Sequence, residues 1–286
     1  MAYDDLENRK RMSFKQAEGI DPLPAQLKRT EMTAKLRSRL WNTIYSEICP
    51  SGNLSFNNID EPWVSILRAE FINRRGRLAH TFQTNLALVV KDLSPIFEKG
   101  SYDDIYDLLQ HLIRDHECPD IFVRKLEFVL STEKAAYRLV FKDTLMPVSS
   151  EKELEAIRNA FIASSQKSFG GAHTHLRNSA EALSAGRFAD SARDSIHSVE
   201  AVARILEPEA ELSKALSRLE KSVHIHKAMK LGFEKLYGYS SDEGGIRHAL
   251  LEDGDAKVDE ADAIFMIGAC ASFVSYLISK KNVAGI

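Results

Sequence analysis

Residues 188–206 read FADSARDSIHSVEAVARIL, an unbroken run without glycine or proline. Ala192, Ile196, Val199, Ala203 and Leu206 recur at helical spacing and form one apolar stripe. Asp190, Arg193, Asp194, His197, Glu200 and Arg204 lie off that stripe, with Arg193, His197, Glu200 and Arg204 on a shared polar line. The run is a helix packed on one face. Its polar line is either a solvated surface held by ion pairs or the wall of a cleft.

The same periodicity extends on both sides. Helices are expected around 175–185, over 209–221 and 225–237, briefly at 247–251, and finally over 258–280. Together these make a helical bundle. The small, polar stretch from Ser164 to the pair Gly170 and Gly171 reads as a linker, which divides the chain into domains 1–165 and 166–286.

Upstream, the first thirty residues are polar, broken by Gly19, Pro22 and Pro24, and suit an irregular arm. Leu36, Leu40, Ile44 and Ile48, widened by Trp41, mark a helix that ends before Pro50. Ile105, Leu108, Leu109 and Leu112 mark another, and residues 121–130 a third. At Tyr137 the pattern changes: Tyr137, Leu139 and Phe141 alternate with Arg138 and Val140, then Lys142 and Asp143 allow a turn into 144–148. This predicts a short β-hairpin. Ser150 and Glu153 form a capping-box pair opening a helix with Leu154, Ile157 and Phe161. The expected fold class is therefore mainly α, with a helical N-terminal domain bearing a short hairpin, followed by a helical bundle.

At 286 residues, 44% hydrophobic and 28% charged, the chain has a globular composition and room for two cores. A formal net charge of -3 leaves no global basic field to attract nucleic acid, so any RNA contact must be local. Cys49, Cys118 and Cys270 are too far apart to suggest metal ligation and suit free thiols in a reducing compartment. The N-terminus, with Asp4, Asp5, Glu7, Arg9 and Lys10, lacks a secretory pattern. The apolar stretch 263–278, broken by Ser272 and Ser275, falls short of the ~20 residues that cross a bilayer. These features predict a cytoplasmic protein with no membrane segment.

The chemistry-bearing stretch is Tyr237 to His248. Ser240, Ser241, Asp242, Gly244 and Gly245 suggest a turn whose backbone N–H groups, at the start of a helix, could hold phosphate. Arg247 adds a fixed cation and His248 a group that moves protons near neutral pH. An ordinary capped helix start explains the same residues. Arg193, Asp194, His197 and Glu200 would support that cleft. His173 and His175 open a helix without a cysteine or second carboxylate pattern nearby, so no metal and no cofactor are expected. P-loop, HExxH and Gly-x-Ser-x-Gly motifs are absent from the sequence.

Several of these residues carry a resemblance. His175, Leu176 and Arg177, then Ser195 and 198–203, then 236–250 with Tyr237, Gly238, Tyr239, Gly245, Arg247 and His248, resemble the HEPN-like C-terminal region of AbiJ-type abortive-infection proteins. Met12, Ser13, Phe14, Leu36, Arg37, Leu40, Trp41, Asn42 and the 137–147 hairpin resemble their N-terminal domain. The resemblance implies a HEPN bundle, a homodimer and metal-independent cleavage of RNA, tRNA or mRNA, leaving a cyclic phosphate. It also implies a regulatory or sensor N-terminal domain answering a phage-derived trigger or an antitoxin. The usual HEPN signature spaces an arginine several residues before a histidine, whereas here Arg247 directly precedes His248. The alternative is a non-catalytic HEPN-like module that binds nucleotide, RNA or protein in a defence or toxin–antitoxin complex.

Overall fold

The computed structural model describes residues 14–22, 25–49, 58–206, 212–221, 224–242 and 258–284. The chain forms two compact units, Met1–Leu145 and Met146–Ile286. Helices dominate both, as the periodicity predicts.

In the first unit a single-turn α1 (Phe14–Ala17) lies in the polar arm. Helix α2 (Ala34–Ile48) starts at Thr33, whose side chain accepts the Leu36 N–H. Its stripe Leu36, Leu40, Ile44 and Ile48 is wholly buried, and Trp41 packs its ring on Phe97 at 5.5 Å. Helix α3 (Trp63–Ala69) runs directly into a π-helical turn, Glu70–Arg74. Helices α4 (Leu86–Lys99), α5 (Tyr102–Arg114) and α6 (Asp120–Thr132) complete the helical part. In α5 a full capping box joins Ser101 and Asp104, and Ile105, Leu108, Leu109 and Leu112 are fully buried.

The predicted hairpin is present as β1 (Tyr137–Phe141) and β2 (Thr144–Pro147). It differs from the expected alternation in one respect, because both of its faces are buried. Arg138, expected to point outward, is 1% exposed, and its guanidinium donates to the carbonyls of Leu130 and Ala135 at the end of α6. A buried cation is tolerated where such acceptors replace water.

The second unit holds α7 (Glu151–Ser164), α8 (Gly170–Ser184), α9 (Phe188–Leu206), α10 (Leu212–Leu219), α11 (Lys227–Asp242) and α12 (Glu260–Ala284). Helix α9 is the centre, packed between α8 and α12, and α12 also lies against α7. Ser150 caps α7 by accepting from the Glu153 N–H, while the Glu153 carboxylate takes both the N–H and the hydroxyl of Ser149. Between 164 and 170 the expected linker contains a 3-10 turn, Lys167–Phe169, with Phe169 buried.

Helix α12 corrects the sequence reading of its apolar stretch. Residues Glu260–Asn282 are long and apolar enough, by length and composition, to cross a membrane, because the helix continues past both ends of 263–278. Here Met266, Ile267, Cys270, Val274 and Leu277 are buried inside the second unit, whereas Phe265 is exposed.

Candidate functional site

Ala172, Leu176, Ala180 and Leu183 are buried on α8, and Ala192, Ile196, Val199 and Ala203 on α9, as the stripe predicts. Ser179, Ser191, Ser195 and Ser198 are buried with them. Where α8 and α9 meet, small serines make the contact. Ser179 Oγ donates to the Ser191 carbonyl at 2.9 Å and lies 2.8 Å from Ser195 Oγ. Ser195 and Ser198 return their hydroxyls to carbonyls of their own helix, at 2.8 and 2.6 Å. With every hydroxyl partnered, the small side chains let the two backbones approach closely.

One turn beyond Ser179 along this seam stands His175. Its Nδ1 is 2.8 Å from Asp194 Oδ1, and its ring meets the His197 ring edge-on with centroids 5.2 Å apart. Asp194 and His197 are three apart on α9 and so share a face. All three are half-buried, and one ligand-type atom from each lies within 4.8 Å of the others. Burial, reinforced by His175 and Arg193, holds His197 below the usual imidazole range against the opposing pull of Glu200 and Asp194. A His–Asp–His set of this kind can hold and move protons or bind a divalent transition ion.

The rest of the predicted polar line divides. Arg193 turns back to Asp190 at 2.7 Å, and Arg204 is exposed. Glu200 accepts a 2.5 Å hydrogen bond from the Tyr237 hydroxyl, which ties α9 to α11. Asp194, His197 and Glu200 therefore sit along one side of α9, and His175 joins them from α8. Sequence reasoning left His175 out of this group because 19 residues separate it from Asp194.

The expected turn after Tyr237 needs a correction. Helix α11 runs through Ser240, Ser241 and Asp242, so the backbone at these three residues is helical rather than a loop. Gly244, Gly245, Arg247 and His248 lie outside the described residues, as do Met12 and Ser13.

The first unit has a separate polar feature. Glu70, 1% exposed, is held by Arg74 at 2.7 Å and Arg75 at 2.8 Å, and Asp92 joins Arg75 and Arg77. Glu70, Arg75, Arg77 and Asp92 border a cavity of about 310 Å³ with Phe71, Phe82 and Val89 on its apolar wall. No local pattern marks it, since Glu70 and Asp92 belong to different helices.

The two units thus define a mainly helical protein with a hairpin-bearing N-terminal unit and a helical bundle carrying a His–Asp–His group. The family described as AbiJ N-terminal domain 4 matches residues 12–162, and the chain belongs to it. This membership makes the chain an abortive-infection, antiphage type of protein. No curated protein and no solved structure matches it.

Proposed function

We propose that the chain is a cytoplasmic abortive-infection effector whose second unit is a HEPN-like, metal-independent endoribonuclease. The observation that carries this reading is the Tyr237–Glu200 hydrogen bond. It joins the polar side of α9 to the helix that leads into Arg247 and His248. Arg247 follows Asp242 by five residues in the sequence.

The chemistry needs attack of a 2′-hydroxyl on its own phosphate, with transfer of one proton away from the nucleophile and one to the leaving oxygen. His248 moves a proton, Arg247 holds the phosphoryl oxygens through two parallel donors, and the carboxylates of α9 orient these cations. RNA is the substrate and a homodimer the working form, with exposed Phe265 on α12 available to a second copy. The N-terminal unit regulates: its ion-paired residues border a cavity, and its histidines do not converge on an acid–base group.

The test is cleavage of tRNA and mRNA by the purified full chain in chelator, with detection of cyclic phosphate ends. His248→Ala should remove most of the cleavage, since acid–base catalysis is typically worth about 10²–10⁴-fold. A folded His248→Ala variant that cuts at the native rate removes the pair from the site. If the native chain binds RNA but cuts none in chelator or with added divalent ions, the non-catalytic binding module is the correct reading.

A further inference from the structure

We propose that His175, Asp194 and His197 form a binding site for a divalent transition-metal ion of the Zn²⁺ class, bridging α8 and α9. The donors are two imidazoles and one carboxylate, a borderline set that suits Zn²⁺, Co²⁺ or Ni²⁺, whereas Ca²⁺ and Mg²⁺ favour oxygen ligands. Their ligand atoms already lie within 4.8 Å of one another. Three protein ligands leave a fourth tetrahedral position for water, and the partial exposure of all three gives an ion a way in.

The scaffold is what turns this proximity into a site. Asp194 and His197 are placed on one side by their three-residue spacing on α9. His175 is placed opposite them by the Ser179–Ser191–Ser195 contacts one turn away, which fix the spacing of the two helices. The 2.8 Å contact between His175 Nδ1 and Asp194 Oδ1 is shorter than the about 3.3 Å separating ligands around a tetrahedral ion with bonds near 2.0 Å. Small side-chain rotations open it, so that each group can turn one lone pair to the ion. Glu200 lies one helical turn beyond His197 and is held by Tyr237, which adds a fixed negative charge beside the site.

This inference does not rest on the ribonuclease reading, because ion binding is measured without RNA. The full chain is stripped with chelator and titrated with Zn²⁺ by calorimetry, then with Co²⁺ by visible absorption. A single equivalent of Zn²⁺ should bind and raise the melting temperature, and Co²⁺ in its place should give the intense d–d bands of a four-coordinate ion. His175→Ala, His197→Ala and Asp194→Asn should each lose at least tenfold in affinity while keeping the native circular dichroism spectrum. Any of these variants that unfolds is replaced by His175→Gln or His197→Gln, which keep side-chain bulk and should lose the Co²⁺ bands. Failure of the native chain to bind Zn²⁺ at micromolar concentrations overturns the proposal. So does stoichiometric binding that survives all three substitutions, since the ion then sits elsewhere.

Discussion

Replacing Ser179 probes the seam that brings His175 to Asp194. Ser179 is fully buried, and its hydroxyl meets the Ser191 carbonyl and the Ser195 hydroxyl. In Ser179→Ala the Ser191 carbonyl still accepts from Ser195 at 2.8 Å, so only one hydrogen bond is lost, at about 0.5–1.5 kcal/mol. Ser179→Leu is different in kind. It forces extra carbons into a point where small serines bring the two helices together, and such overpacking costs about 1–3 kcal/mol beyond the lost hydrogen bond. At about 2–4 °C per kcal/mol for a unit of this size, alanine should lower Tm by about 1–6 °C and leucine by about 3–18 °C. The measurement is thermal unfolding by circular dichroism, paired with NMR of the histidine side chains. In Ser179→Leu the His175 and His197 resonances should both move, because the helices separate at the site, whereas alanine should leave them near their native positions. A leucine variant with native Tm and unmoved histidine signals would show that the seam is not close-packed, and the account of how the site is held together would fail.

Other predictions concern particular groups. Burial pushes the Cys270 thiol up to about 12, so it should resist alkylation at pH 8 in the native protein and react on unfolding, as followed by mass spectrometry. Ser101 holds the Asp104 carboxyl below its usual range through hydrogen bonds. That stabilisation is present above the ordinary carboxylate pKa and is lost as pH falls through the lowered folded value. Acid unfolding of Asp104→Asn should therefore show a flatter pH dependence than the native chain. Arg138→Met leaves the Leu130 and Ala135 carbonyls buried without that donor, and should cost about 1–3 kcal/mol by urea denaturation, while a native midpoint would show that the buried guanidinium contributes nothing net. Light scattering at micromolar concentration should give a dimer, and Phe265→Asp should convert it to monomer if α12 forms the interface.

Much of the fold was legible because its helices are amphipathic at short range. The stripes of α2, α5 and α9 could be read directly, and the bounds of α9 coincide with the run 188–206. Local rules also reached the hairpin, with its turn at Lys142 and Asp143, and the Ser150 cap. What local rules missed depends on partners distant in sequence. Arg138 is buried because carbonyls at the end of α6 face it, and the serines of α9 are buried because Ser179 of α8 supplies a partner. His175 looked like an ordinary helix residue until α8 was set beside Asp194 and His197. The turn placed at Ser240 was drawn by residue type, since serines and aspartate favour loops, yet α11 carries its backbone pattern through all three residues.

The proposed RNA cleavage by this AbiJ-family chain is tested most directly by incubating purified, chelator-treated full chain with tRNA and mRNA and mapping the ends. The account predicts fragments with cyclic phosphate ends in chelator, and their loss in a folded His248→Ala variant. Intact RNA under every condition, or cleavage that appears only when a divalent ion is restored, contradicts it.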